Sequence, residues 1–239
     1  MSSSEIPAHP GVIVLENPEV GKGIKISTDY SIEDLAHLHL ATIRANADLK
    51  QPLVLYDYSM GALVLSVLAT ELRSQLPRAT TFIFISAAMN TAENPLVTDE
   101  RQAEWFSVKP GDQEAFASIL RPFFSESFLK AHPNEFISYV KFRSIGANKQ
   151  SPGAFIRQLA ALRKFDGSKY FHRIEPEQSV FVYPREDQIV GAKCRMEVQK
   201  VIPRGRFSEI SGGHMIFIEQ DSDFLGSFFS KGWAERVHP

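Results

Sequence analysis

The chain has 239 residues, enough for one large domain or two small ones that bury a core without disulfide bonds. It carries 26 basic and 28 acidic residues, and a net charge of −2 gives no reason to expect a nucleic-acid partner. No run approaches about 18 apolar residues, and the start lacks the segments of a secretory signal. We therefore expect a cytoplasmic protein without a membrane span. One cysteine, Cys194, excludes an internal disulfide and cysteine-rich zinc sites.

Short apolar runs along the chain are typical of strands. In chain order they cover 11–15, 52–56, 80–85, 179–183 and, more weakly, 207–210. The first four are continuous rather than alternating, as in strands buried on both faces of a parallel sheet. Helical periodicity covers the segments 32–45, 60–73, 195–201 and 222–233, the first with a capping box at Ser31 and Asp34. This alternation predicts an α/β fold with a mostly parallel sheet.

One region, from about 95 to 170, breaks the alternation. It shows helical periodicity without a convincing strand, and it holds nine of the 18 phenylalanines. We therefore predict a helical cap at 95–170, inserted into a core formed by 1–94 and 171–239. The phenylalanine rings are either the packing core of this cap or, in part, the lining of an apolar pocket.

A serine with the setting of a nucleophile follows the second predicted strand. Ser59 lies at the turn into a helix, and Gly61 follows two residues later, which is the pattern of a nucleophile elbow. Such a turn exposes the hydroxyl and points the Met60 N–H toward a developing oxyanion at the helix N-terminus. Taken alone, the same pattern also fits a turn serine or a helix cap.

Two further polar residues follow later strands in similar loops. Asp187 comes just after the fourth strand, and His214 follows the fifth. Sites in open α/β sheets gather at the carboxyl ends of the strands, so Ser59, Asp187 and His214 are expected at one sheet edge. Any one of these placements can be accidental, whereas all three in the order Ser, Asp, His form a strong joint signal.

These features resemble the α/β-hydrolase superfamily over nearly the whole chain. Residues 187–190 resemble its acid loop, commonly written D-x-x-V. Gly213 and His214, with Glu219 behind them, resemble its histidine loop and trailing acidic residue. The predicted insertion at 95–170 is similar to the helical cap of that family.

The resemblance implies a role for each residue of the Ser, Asp, His set. Ser59 is the implied nucleophile, His214 the general base and then acid, and Asp187 the residue that orients the imidazole. A serine hydroxyl is a poor nucleophile near neutral pH, so it needs an imidazole to take its proton. This chemistry requires no metal ion and no organic cofactor.

The sequence departs from the family pattern at two places. The position two residues before the nucleophile is normally small because the turn is crowded, and here it is Asp57, expected to distort the elbow or lie beside His214. Residues 18–23 resemble the family's Gly-x-Gly loop, with Glu19 in place of the first glycine.

A larger departure concerns the strand at 11–15, which aligns with the family's fourth strand. Three earlier strands have no counterpart, nor has the His-Gly loop that supplies a second oxyanion N–H. We expect a shortened chain, a sheet that closes differently, or a degenerate relative. Losing one oxyanion donor typically lowers turnover by about 10²–10³-fold.

The expected function is therefore that of a serine hydrolase acting on a small, partly apolar ester, thioester or lactone. The alternative is a weak or inactive relative that keeps the pocket for ligand binding or interaction. The intact Ser59, Asp187 and His214 favour the enzyme, whereas Asp57 and the missing oxyanion loop favour the binding protein. A carbon–carbon hydrolase or lyase with the same triad is a third possibility. The sequence does not indicate an oligomeric state.

Overall fold

A computed structural model of the chain describes residues 28–91, 98–109, 111–145 and 152–220, together with residues 13, 15, 17, 18 and 26. Within these ranges the strands form one sheet in the order β1-β2-β3-β4, and every neighbouring pair is parallel. The strands are β1 (Val54–Tyr58), β2 (Thr81–Ile85), β3 (Ser179–Pro184) and β4 (Arg206–Ile210).

Helices connect these strands and also form a separate group between β2 and β3. The first two are α1 (Ile32–Asn46) and α2 (Met60–Leu68), which pack on each other and on the sheet. The group between β2 and β3 comprises α3 (Asp99–Ser107), α4 (Gln113–Leu120), α5 (Glu126–Ala131), α6 (Pro133–Ile145) and α7 (Pro152–Lys164). A short helix, α8 (Ser168–Phe171), follows this group and also precedes β3, and the remaining described α-helices are α9 (Ala192–Val201) and α10 (Ile216–Glu219).

The parallel α/β architecture predicted from the sequence is confirmed. Four of the five predicted strands are present, although β1 begins and ends two residues later than expected. The capping box of α1 forms as predicted, because the Ser31 hydroxyl accepts from the Asp34 N–H and the Asp34 carboxylate accepts from the Ser31 N–H. The predicted strand at 11–15 lies largely outside the described residues, and the helix at 222–233 lies wholly outside them.

Two expectations from the apolar runs were wrong. The continuous run of β1 predicted burial on both faces, but Val54 is 61% exposed and Tyr56 44% exposed. This strand lies at the end of the described sheet, where apolar sequence alone does not guarantee a covering layer. The helix expected over 60–73 ends at Leu68, where the Thr70 hydroxyl donates to the Ser66 carbonyl and a turn follows.

The sheet separates two apolar layers. On one face, the aromatic side chains of Phe82, Phe84 and Phe181 are buried against α1 and α2. On the other face, branched residues of β2 and β3 pack against Ile216 of α10. Burying one such side chain contributes about 1.5–3 kcal/mol, so these layers supply the main driving force for folding.

The helices between β2 and β3 have a core of their own. Phe124, Phe128 and Phe136 are buried together with Leu120 and Val140. Trp105 forms a second aromatic group with its neighbours Phe116, Phe123 and Phe155. Most of the phenylalanines in this region are therefore packing residues. The last of them, Phe165, stacks on Tyr170 in the main core, which anchors the end of α7 to the sheet domain.

None of the described helices is both long and apolar enough to cross a lipid bilayer.

A buried histidine of α1 makes a prediction about stability. His39 is buried, and neither ring nitrogen has a hydrogen-bond partner in the part of the chain that the structure describes. Burial lowers the pKa of His39 from 6.5 to about 4. Between these values the unfolded chain binds the proton and the folded chain does not, so stability is lost as pH falls from 6.5 to 4.

We predict that His39→Leu removes this loss. When the pH falls from 8 to 5, the free energy of unfolding of the wild type should drop by about 2 kcal/mol more than that of the variant. Urea unfolding at several pH values measures the difference. The same change at His37, an exposed position of α1, serves as the matched control and should leave the pH dependence unchanged. An equal slope for the wild type and His39→Leu would contradict the argument.

Candidate active site

The turn between β1 and α2 holds Ser59 in a strained conformation. Its dihedral angles are φ = 55° and ψ = −118°, which a residue with a side chain rarely adopts. The Ser59 N–H donates to the Ile85 carbonyl on the next strand at 2.9 Å. The parallel pairing of β1 and β2 thus continues into the turn, and this hydrogen bond helps to fix the position of the serine.

The crowding at this turn is resolved by Gly61. A Cβ atom at Gly61 would stand 1.7 Å from Oδ1 and 2.2 Å from Cγ of Asp57. The Asp57 carboxyl group therefore occupies the space that a side chain at Gly61 would fill, while its Oδ1 accepts from the Tyr58 N–H at 2.9 Å. The carboxylate at the normally small elbow position lies beneath the turn, against the start of α2.

His214 links Ser59 to Asp187. Its Nε2 lies 3.0 Å from the Ser59 Oγ, and its Nδ1 lies 2.9 Å from the Asp187 Oδ2. The side chains of His214 and Asp187 are both buried. The structure thus brings together the three residues that the sequence singled out, and we refer to Ser59, His214 and Asp187 as the serine relay.

Asp187 is held by four donors. Its Oδ1 accepts from the backbone N–H groups of Ile189 and Val190 at 2.9 and 2.8 Å. Its Oδ2 accepts from His214 and also from the Ser86 hydroxyl, which lies 2.8 Å away. A carboxylate with donors on both oxygens has a fixed orientation, and the proton of the His214 imidazole is thereby directed to Nδ1.

Sequence reasoning missed Ser86. This buried residue follows β2 directly, as Ser59 follows β1, and its φ of 51° is also positive. Its N–H donates to the Val182 carbonyl on β3 at 2.9 Å, which repeats the arrangement of Ser59 one strand along. Ser86 could have been found from its place after the third predicted strand. Asp187 and His214 were selected because they follow strands at the carboxyl edge of the sheet, and Ser86 does the same.

Two aromatic rings enclose the imidazole of His214. The Tyr58 ring centre lies 4.9 Å from that of His214, and the Phe123 ring approaches edge-on at 5.8 Å. The Tyr58 hydroxyl donates to the His214 carbonyl at 2.6 Å. Burial and then the charge of Asp187 hold the Tyr58 pKa well above its usual range, so the phenol keeps the proton that it donates.

The expected oxyanion donor, Met60, is the first residue of α2. The first N–H groups of a helix have no acceptor within the helix, and they carry the positive end of its dipole. Burial raises the pKa of the nearby Asp57 to about 6, against the lowering effect of the Tyr58 N–H. The segment 18–23 resembles the family's Gly-x-Gly loop, and its residues 19–23 lie outside the described residues.

A cleft of about 630 Å³ is lined by residues that follow Asp187 and precede Phe123 in the chain. Thr98 and helix α3 line one side, and Gln188 and Ile189, which follow Asp187, line the other. Pro122 completes the lining and precedes Phe123, the residue whose ring contacts His214. Across the described ranges, no three acidic, histidine or cysteine side chains converge as ligands for a metal ion.

Solved structures share this architecture. An esterase from Thermogutta terrifontis is 18% identical, with a TM-score of 0.67 over 93% of this chain and 78% of that one. An enol-lactonase from Burkholderia xenovorans is 17% identical, with a TM-score of 0.67 over 88% and 76% of the two chains. An N-acyl homoserine lactone degrading enzyme is 19% identical, with a TM-score of 0.64 over 89% and 80%.

The chain therefore has the α/β-hydrolase fold, as the sequence pattern predicted. No protein-family model and no curated protein sequence matches it. At identities this low, the likeness establishes the fold, and the chemistry has to be argued from the residues of the site.

The contact between Asp57 and Gly61 predicts a reversal of sign in a double mutant. Gly61→Ala alone should lower the free energy of unfolding by about 1–3 kcal/mol, because its methyl group overlaps the Asp57 carboxyl group. In an Asp57→Gly background the overlap is gone, and alanine should be better than glycine in α2 by up to about 1 kcal/mol. Chemical denaturation of the four proteins measures the cycle. Additive effects would show that the two positions do not share this space.

The hydrogen bond from Ser86 makes a second prediction. Ser86→Ala should slow the reaction of Ser59 with a fluorophosphonate probe by about tenfold, the effect of losing one hydrogen bond to a charged group. Ser66→Ala is the matched control, because Ser66 is equally buried but donates within α2 to Leu63. Labelling rates at equal folded concentration measure both. Equal rates for Ser86→Ala and the wild type would remove Ser86 from the site.

Proposed function

We propose that the protein is a serine hydrolase that cleaves a small, partly apolar carboxylic ester, thioester or lactone. The observation that carries this proposal is the continuous hydrogen-bonded path from Ser59 Oγ through His214 to Asp187, with distances of 3.0 and 2.9 Å. These distances are within the range in which a base takes a proton from its nucleophile.

The first half of the reaction forms an acyl-enzyme. His214 Nε2 takes the Ser59 proton as Oγ attacks the carbonyl carbon, and Asp187 stabilises the imidazolium through the Nδ1 proton. The carbonyl oxygen becomes an oxyanion that the Met60 N–H and the α2 N-terminus stabilise. The tetrahedral intermediate collapses, and His214 gives its proton to the leaving alcohol or thiol; in a lactone, that group stays attached to the acyl chain.

The second half repeats these steps with water. His214 takes a proton from the water molecule, whose oxygen attacks the acyl carbon, and returns a proton to Ser59 Oγ as the acid leaves. Each residue of the serine relay ends in its starting state. The proposed cycle uses these residues and water alone, and it calls for no metal or organic cofactor.

The surroundings of the relay support a substrate with both apolar and polar parts. Phe123 and Tyr58 present rings beside His214, whereas Glu100, Arg101 and Glu104 line the neighbouring cleft. A substrate that met both groups would place an apolar part against the rings and a polar part against the charged side chains. The similar folds of an esterase, an enol-lactonase and a lactone-degrading enzyme agree with an ester or lactone, although none fixes the substrate here.

One observation favours a second candidate, a binding protein that retains the pocket without turnover. Asp57 lies directly beneath the turn whose N–H groups would receive the oxyanion, and a carboxylate there opposes the developing charge. The pKa of Asp57, raised to about 6, leaves this carboxyl group mostly charged at neutral pH, so the objection holds there. The intact path from Ser59 to Asp187 still ranks hydrolysis first, and the Asp57 charge leads us to expect it to be slow.

Labelling with a fluorophosphonate probe tests the proposed function without knowledge of the substrate. The wild type should become labelled at one site, and Ser59→Ala should not, because the probe forms a bond with an activated serine oxygen. Ser66→Ala serves as the control for loss of a buried hydroxyl and should label like the wild type. Hydrolysis of a short-chain ester should follow the same order across the three proteins. A wild type that is neither labelled nor active would make the binding protein the better description.

A further inference from the structure

The carboxylate of Glu219 connects the loop that carries His214 to the helical insertion. We call residues 211–215 the histidine loop and residues 123–127, which run from the turn after α4 into the start of α5, the cap turn. Glu219 Oε1 accepts from the Ser125 N–H at 2.7 Å, and its Oε2 accepts from the Ser125 hydroxyl at 2.6 Å. The same Oε2 accepts from the Gly213 N–H at 2.9 Å. One side chain thus joins the cap turn to the residue that precedes His214.

The two backbones touch at this point. A Cβ atom at Gly213 would stand 2.4 Å from the Ser125 nitrogen and 2.7 Å from the Phe124 carbonyl carbon. Glycine is therefore required at 213, because the two nearest atoms belong to the backbone of the cap turn. Backbone atoms cannot move aside as the end of a flexible side chain could. The approach also leaves Glu219 in reach of both segments at once.

The cap turn holds the other side of His214 as well. The Met215 N–H donates to the Phe123 carbonyl at 2.8 Å, and the Phe123 ring lies against the imidazole. The residues immediately before and after His214 are consequently both hydrogen-bonded, directly or through Glu219, to the insertion between β2 and β3.

We propose that Glu219 is a positioning residue, which fixes the His214 imidazole by joining the histidine loop to the cap turn. The cap turn is then part of the catalytic framework and not only a cover over the pocket. This inference rests on the proposed function, since it assigns Glu219 a task in the proton transfers of His214. Glu219 itself does not contact the reacting atoms.

A carboxylate suits the task because the groups that contact the Glu219 oxygens are all donors. The Ser125 N–H, the Ser125 hydroxyl and the Gly213 N–H all point at its two oxygens. Glutamine has the same shape, but its amide nitrogen is a donor and would face at least one of these N–H or O–H groups. Glu219→Gln therefore weakens the connection while keeping the volume of the side chain.

A second glutamate supplies a matched control. Glu186 accepts from the Ser127 hydroxyl at 2.6 Å and from the Ser127 N–H at 3.4 Å, so it also fastens the cap turn through a serine. Its carboxylate has no described bond to the backbone of the histidine loop. Glu186→Gln makes the same chemical change in a carboxylate that binds the same cap turn, but Glu186 does not accept the Gly213 N–H.

The test compares Glu219→Gln, Glu186→Gln and the wild type in two measurements. The first separates the maximal labelling rate by a fluorophosphonate from the affinity for the probe. The second follows the NMR resonance of the proton between His214 Nδ1 and Asp187, which does not depend on any reaction. Glu219→Gln should lower the maximal rate by about tenfold, change the affinity less than about twofold, and shift or broaden the resonance. Glu186→Gln should match the wild type within about twofold in both.

Either of two results would overturn the proposal: a wild-type rate and resonance in Glu219→Gln, or an equal loss in Glu186→Gln. If Glu219→Gln does not fold, the same measurements are made on Ser125→Ala. Because Ser125 also caps α5, the labelling rate of this variant is compared at equal concentrations of folded protein. If the wild type shows no labelling, the proposed function fails. The resonance then still decides whether Glu219 positions His214.

Discussion

The parallel pairing of three adjacent strands is the constraint on which the site depends. At the carboxyl edge of the sheet, Ser59 donates to the last residue of β2 and Ser86 donates to β3, each from a backbone with positive φ. Each strained residue costs roughly 1–3 kcal/mol, which only a surrounding structure that over-determines it can sustain. The ladder provides that structure, so one serine hydroxyl faces His214 and the other faces Asp187.

Crowding at the elbow shows how this edge tolerates an unusual residue. The side chain of Asp57 fits because Gly61 has none, and the helix begins with its first turn pressed against a carboxyl group. The raised pKa of Asp57 means that the folded state favours the protonated form. Its contribution to stability is present below pH 3.8 and is lost as pH rises through 6, so at neutral pH this residue weakens the fold.

The order of elements and the three relay residues could be predicted because both follow from local rules. Apolar runs mark the strands, and the polar residue after each strand must lie at the shared edge. Ser86 satisfies the same rule but was not singled out, because a serine carries no signal of its own until its partner is known. The exposure of β1 could not be predicted either, since an apolar run does not show whether another layer of the protein covers the strand. The resemblance pointed to Glu219, but its contact with Ser125 joins segments 94 residues apart, which no local pattern contains.

The connectivity explains why the insertion and the site are mechanically one unit. The chain leaves the sheet after β2, directly beyond Ser86, and returns to it before β3, whose end carries Asp187. Between these points the cap turn binds the histidine loop, and Phe165 packs into the main core at the far end. The insertion is thus fixed at its inner edge and at its return to the sheet. Helix α3 borders the cleft with no buried residue of its own, but its Trp105 packs edge-on against Phe123, whose ring lies against His214. A displacement of α3 would therefore reach the serine relay through these two rings.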